Sequence, residues 1–182
     1  MAEANAGPLV IGHSWVSRLR YSGLLPGFSF VDLSGGTFRK LARVVESIPT
    51  HQNYDYVFMF LGGNDLDDAW DMSEIREVES MCHDFVLMLR ARFPSAKLII
   101  AQVEDRFNPN TWQIDLDFKR KSNKFNKWLN KFPNKEALFT LKGAKYFSKR
   151  VWFEPDGVHL NHAGNVKLAS QIQAFYEEQR AG

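Results

Sequence analysis

Pro8-Leu9-Val10-Ile11-Gly12-His13-Ser14-Trp15 is an apolar run that halts at a glycine and a serine, and Val16-Ser17-Arg18-Leu19-Arg20-Tyr21 follows it. The opening residues read as a short buried strand, and the closing six can wind into a helix. A serine at such a strand-to-helix turn exposes its hydroxyl and places its amide at a helix N-terminus, where backbone donors lack intrahelical partners. An acyl-transfer nucleophile needs both things: access to the substrate and a donor near the developing oxyanion. A plain helix cap would use the same residue. The rest of the chain decides between them.

Three other segments bear on that choice. Phe28-Ser29-Phe30-Val31 leads into Ser34-Gly35-Gly36-Thr37, and Tyr56-Val57-Phe58-Met59-Phe60 leads into Leu61-Gly62-Gly63-Asn64-Asp65. Near the C-terminus, Asp156-Gly157-Val158-His159 sets a carboxylate three residues before an imidazole. Taken together and in this order, the blocks resemble the SGNH hydrolase superfamily, the GDSL-type esterases and lipases, over roughly residues 8 to 175. The resemblance implies the family's fold, an α/β/α sandwich around a five-stranded parallel sheet in the flavodoxin-like order 2-1-3-4-5. It also implies Ser14, Gly35, Asn64 and His159 as the functional residues of the four blocks.

Composition sets wide bounds. The 182 residues suit one α/β domain spanning 1–182, long enough to bury a substantial core. A net charge of +2 does not by itself point to nucleic acid or membrane. The single cysteine, Cys82, excludes an intrachain disulfide and a cysteine-rich metal site, and its place on an apolar helical face predicts a buried thiol. Met1 to Gly7 lack the pattern of a signal peptide and are expected to be flexible; no apolar run reaches the ~20 residues of a membrane span. An intracellular location is the expectation.

Along the chain, residues 28 to 33 alternate like a strand, and Phe38, Leu41, Val44, Val45 and Ile48 recur at helical spacing behind Thr37 as cap and before Pro49. Residues 55 to 61 form a nearly continuous apolar strand, as in the buried middle of a parallel sheet. Ser73 is expected to cap a helix with the stripe Ile75, Val78, Cys82, Phe85 and Leu89, ending before Pro94. Lys97 to Val103 is the fourth strand, and residues 115 to 132 form an amphipathic helix whose Phe118, Phe125, Trp128, Leu129 and Phe132 face inward. A fifth strand is expected within 137–142 or 145–152. Asn161 caps a last helix carrying Leu168, Ile172 and Phe175. Strands alternating with helices mean a parallel sheet joined by right-handed crossovers. Ligands of such sheets sit beyond the carboxyl ends of the strands. Ser14, Gly35 and Asn64 each follow a strand, and in the order 2-1-3 those strands are neighbours.

The chemistry follows from residue type. A serine hydroxyl needs a base, and His159 is the candidate, with Asp156 fixing its tautomer and stabilising the imidazolium. Gly157 lets the backbone curl so that the two side chains meet. By the resemblance, the Ser14 amide, the Gly35 amide and the Asn64 side chain form the oxyanion hole. Gly35 is taken over Gly36 because Ser-Gly-x-Thr fits the family's second block. The family's first block usually has Asp where this chain has His13; as a sequence neighbour of Ser14, His13 is expected to point away from it. Gly12-His13-Ser14-Trp15-Val16 also invites comparison with the Gly-x-Ser-x-Gly elbow, but Val16 replaces its last glycine and only one strand precedes Ser14.

These residues predict a serine esterase that needs no metal or cofactor, acting on carboxylic esters, acetyl or other short acyl groups foremost. Asp65, Asp67 and Asp68 read as a solvated acidic loop lacking the remaining calcium ligands, and His51, His83 and His162 share no metal spacing. Helix 115–132 carries Lys119, Arg120, Lys121, Lys124, Lys127 and Lys131; Lys124, Lys127 and Lys131 share a face that would suit phosphate of nucleic acid or anionic lipid. That stripe defines the rival reading, a non-catalytic binding module on an SGNH scaffold, as in the SGNH-like domains that accompany some retrotransposon-encoded proteins.

Overall fold

The computed structural model describes residues 6–49, 52–142 and 149–182. Five strands, β1 (Pro8–Gly12), β2 (Ser29–Asp32), β3 (Tyr56–Phe60), β4 (Lys97–Ala101) and β5 (Ala137–Phe139), form one parallel sheet in the order β2-β1-β3-β4-β5. β1 is the hinge of this order, since Gly12 pairs with Asp32 on one side and Phe60 on the other. β1 and β3 are buried along their whole length, which is why both read as continuous apolar runs.

Side chains leave each strand alternately to the two faces. Leu9, Ile11, Val57, Met59, Leu98 and Ile100 pack under α2 (Phe38–Glu46), α4 (Ile75–Arg92) and α5 (Leu116–Lys131). Val10, Phe58, Phe60, Ile99 and Phe139 face α1 (Ser14–Ser22) and α6 (His162–Ala181). The result is the expected α/β/α sandwich. Cys82 is buried in the first of these cores, and desolvation there pushes its thiol pKa up, as for an inert structural thiol.

Thr37 and Asn161 cap α2 and α6 by accepting from the amides of Lys40 and Gly164. Ser73 does not act as the expected cap. Asp71 accepts from the Ser73 amide and opens a 3₁₀ turn, Met72–Glu74, that runs straight into α4. The Ser73 hydroxyl donates to the same Asp71 oxygen, so it is turned back onto the carboxylate instead of capping a later amide. The supposed acidic loop is also corrected: Gly63–Asp68 is a short helix, α3, and Asp65 within it is buried. Of the two windows for the fifth strand, 137–142 contains it; residues 143–148 lie outside the described residues, as do 1–5 and His51. Ala6 and Gly7, expected to be flexible, are pinned to the sheet's lower edge: Ala6 donates to the Asn53 carbonyl, and Asp55 donates to that of Gly7.

Gly12 is required by this packing. A Cβ there would fall onto the Phe60 carbonyl oxygen and within 2.7 Å of Val16 Cγ2. Gly12→Ala is therefore expected to separate β1 from β3 or α1 and to cost at least about 2 kcal/mol of stability, read from urea unfolding.

Candidate active site

The carboxyl ends of β1, β2 and β3 bring three blocks of sequence to one rim. Ser14 is the first residue of α1, with His13 as its cap. Across from it, the loop before α6 presents Asp156 and His159. One Asp156 oxygen accepts from the amides of Val158 (2.8 Å) and His159 (2.9 Å), and the other lies 2.5 Å from His159 Nδ1. Those partners put the imidazole proton on Nδ1, leaving Nε2 as an acceptor. The Ser14 hydroxyl donates to it at 3.0 Å. Partial burial works to raise the Asp156 carboxyl, but the bonds from the His159 ring and from the two amides outweigh it and hold the pKa below the usual carboxylate range.

The loop is held from both sides. Gly157 takes a φ of 72°, and a Cβ there would meet the Phe107 carbonyl, whose own amide donates to Gly157 at 3.1 Å. The indole Nε1 of Trp15 donates to the Val158 carbonyl at 3.1 Å, tying the residue after the serine to the residue before the histidine. Arg18 Nη1, one turn along α1, reaches the Leu160 carbonyl at 3.2 Å and Glu154 at 3.2 Å. Neither Trp15 nor Arg18 stands out in the sequence; an indole donor directly after the serine is the only local hint.

Gly35 lines the cleft in a left-handed conformation, φ 69°, while the Gly36 amide is spent on the Leu33 carbonyl. Asn64 enters the cleft from the first turn of α3, its Nδ2 donating to the Gly36 carbonyl at 3.0 Å. Asp65, next in sequence, turns away from the cleft and accepts from the Phe38 amide at 3.2 Å, clamping α3 to the start of α2. Burial pushes its pKa up to about 6 despite the bonds it accepts.

His13 departs from expectation. It does not point away but lines the same cleft as Ser14. Its Nδ1 accepts from the Trp15 amide at 3.3 Å, so the nitrogen a base would use is engaged in capping α1. Burial foremost, then the charges of Arg106 and His159, lower its pKa to about 4. The ring is neutral across the physiological range.

Together these residues open onto a cavity of about 320 Å³. Ser14, Asn64 and His159 line it together with the apolar Phe60, Leu61, Ala101, Val103, Phe139 and Leu141 and the polar Gln102, Glu104, Asp105 and Arg106 from the end of β4. The basic stripe of α5 is less free than its sequence suggests. Lys121 is buried and donates to the Ala69 carbonyl at 2.7 Å, and Lys124 donates to that of Met72 at 3.3 Å. Lys119 pairs with Asp105 and Arg120 with Asp117. Lys127 and Lys131 are exposed, but Lys124 is not free to complete a three-lysine face, so the anionic-partner expectation gains no support.

No protein-family model and no curated protein matches the sequence. Solved structures do match. A GDSL-like lipase from Bacteroides thetaiotaomicron aligns over 96% of this chain and 89% of its own, with a TM-score of 0.68 at 15% identity. A phospholipase A1 from Streptomyces albidoflavus aligns over 94% and 99%, with a TM-score of 0.64 at 16% identity. An acetyl xylan esterase aligns over 93% and 98%, with a TM-score of 0.68 at 17% identity. The fold is that of the SGNH hydrolases. In that fold the blocks named above occupy the rim at the switch between β1 and β3, where a doubly wound sheet binds its ligand. No described helix is long and apolar enough to cross a membrane.

The His13 imidazole makes a pH prediction. With its folded value depressed from 6.5 to about 4, the unfolded chain takes up the proton first. The contribution of His13 to stability is complete above pH 6.5 and is lost as the pH falls towards 4. His13→Asn keeps a cap acceptor but does not titrate. Its melting temperature is expected to fall less between pH 7 and pH 5 than that of the wild type, by calorimetry. Asp65, whose raised pKa favours the folded state as pH falls, is common to both proteins and drops out of the comparison.

Proposed function

We propose that this chain is a serine ester hydrolase working through an acyl-enzyme. The observation that carries the reading is the unbroken relay from the Asp156 carboxylate through the His159 ring to the Ser14 hydroxyl, at 2.5 and 3.0 Å, opening onto a mostly apolar cavity. His159 Nε2 takes the Ser14 proton as the oxygen attacks the ester carbonyl. Asp156 stabilises the imidazolium without itself being protonated. The Ser14 amide, the Gly35 amide and Asn64 Nδ2 are the donors for the tetrahedral oxyanion, and each such donor is worth a few kcal/mol in the transition state. His159 then hands its proton to the leaving alkoxide, and a water activated by the same nitrogen releases the acid. No step calls for a metal or cofactor.

Two of the structural neighbours are named for ester hydrolysis on unlike substrates, acetylated xylan and phospholipid. This chain's own cavity supports a substrate range. At about 320 Å³ it lies at the small end of ligand pockets. Acetyl and other short acyl esters fit with room to spare.

A fluorophosphonate probe and a series of p-nitrophenyl esters test the reading. Wild type is expected to be labelled and to turn over acetyl and other short acyl esters, with rates falling as the acyl chain lengthens. Ser14→Ala is expected to lose labelling and turnover alike. Asp156→Asn is expected to lower kcat by about a thousandfold or more, through the wrong histidine tautomer. A wild type that neither labels nor turns over would leave the scaffold as a binding module.

A further inference from the structure

The oxyanion role given to Asn64 depends on which end of its amide faces the substrate, and that is decided by a residue outside the four sequence blocks. Arg106 lies in the connection from β4 to α5, at the root of a short antiparallel turn where its carbonyl accepts from the Asp115 amide at 2.8 Å and Phe107 bridges to Ile114. Its guanidinium sits 4.4 Å over the Phe118 ring, and its side chain is only 16% exposed. Nη1 pairs with Asp67 at 3.1 Å and Nη2 donates to Asn64 Oδ1 at 3.3 Å. A guanidinium can only donate and a carbonyl can only accept. With Arg106 on one end of the amide and the Gly36 carbonyl on the other, a single orientation satisfies both. Asn64 must present Oδ1 to Arg106 and Nδ2 to Gly36, which leaves the second Nδ2 hydrogen for the cleft.

We infer that Arg106 is the positioning residue of the oxyanion hole: it fixes the Asn64 amide with its donor towards the reacting carbonyl and polarises that donor through the bond to Oδ1. Polarisation along such a chain strengthens the last hydrogen bond, and it does so most when the acceptor is the full oxyanion of the transition state. Gly63 belongs to the same device. A Cβ there would stand 3.3 Å from Arg106 Nη2, against a guanidinium already fixed by Phe118 and Asp67.

The inference rests on the esterase reading and is tested on the full chain with p-nitrophenyl acetate. Arg106→Met is expected to lower kcat by about ten- to a hundredfold with KM within about twofold, less than the loss of an oxyanion donor outright. In an Asn64→Ala background the same substitution is expected to cost no more than about twofold further, because the group it orients is gone. Gly63→Ala, which keeps the guanidinium but crowds it, is expected to lower kcat several-fold with melting temperature and KM little changed. A kcat for Arg106→Met within twofold of wild type overturns the inference. So does an equal loss in both backgrounds, which would mean that Arg106 acts through the fold, or a raised KM at unchanged kcat, which would mean that it binds substrate. Fluorophosphonate labelling of wild type keeps the two levels apart: without it the esterase reading falls and takes the inference with it, whereas with it only the role of Arg106 is at stake.

Discussion

β1 is hydrogen-bonded on both sides, to β2 and to β3, and the site depends on that double pairing. The strands are parallel, so all three leave the sheet at one edge, with neighbours about 5 Å apart. Residues separated by more than 100 positions then need only short turns to meet. Gly12 makes the pairing possible at its last rung, since the Phe60 carbonyl stands where a side chain would be. The His13 amide continues the ladder by donating to that same carbonyl, and the Leu33 amide donates to the Gly12 carbonyl from the other side. Ser14, the proposed nucleophile, therefore emerges from a backbone fixed on both flanks before α1 begins.

How much of this was legible in the sequence depends on how local the cause is. Buried strands and one-sided helices announce themselves through periodicity, so β1, β3 and the apolar stripes of α4 and α5 were readable residue by residue. The placement of Asp156 and His159 was readable too, because three residues of separation and one glycine suffice to define the turn. The sheet order came through resemblance, since nothing in a strand's own residues says which strand lies beside it. α3 was not readable: six residues offer less than two turns of pattern, and its acidic residues suggested a solvated loop. Asp65 is buried because the start of α2 needs an acceptor, a fact that belongs to a residue 27 positions away. The same holds for Trp15 bonding Val158, 143 positions on, and Arg106 bonding Asn64, 42 positions back. Only the fold brings such partners together.

His13 shares the cavity with His159, yet the two rings have opposite duties. Burial and nearby positive charge keep His13 neutral, and its Nδ1 is spent on a backbone amide. His159 has a carboxylate behind it and a hydroxyl in front. An imidazole surrounded by donors is a cap; an imidazole between an acid and an alcohol is a base. Burial and partners together make the difference between them. This is also why His13, where the resembled family usually has Asp, leaves the Asp156–His159–Ser14 relay intact: the side chain caps the helix start, where it needs only a lone pair for the Trp15 amide.

Rigidity and reach are divided between the two sides of the sheet. On the α1/α6 face, Trp15 and Arg18 fasten the Asp156–His159 loop to the helix that carries Ser14. On the opposite face, Lys121 and Lys124 of α5 hold the carbonyls of Ala69 and Met72, at and just beyond the end of α3, while Arg106 crosses its beginning. Cations that look like a docking stripe in sequence thus fasten the element that presents Asn64. A donor aimed at a transition state is useful only if it does not have to reorganise when charge appears. A six-residue helix cannot supply that stiffness by its own hydrogen bonds, so it is borrowed from α5 and from the β4–α5 connection. Lys121 and Lys124 are thus scaffold for the site.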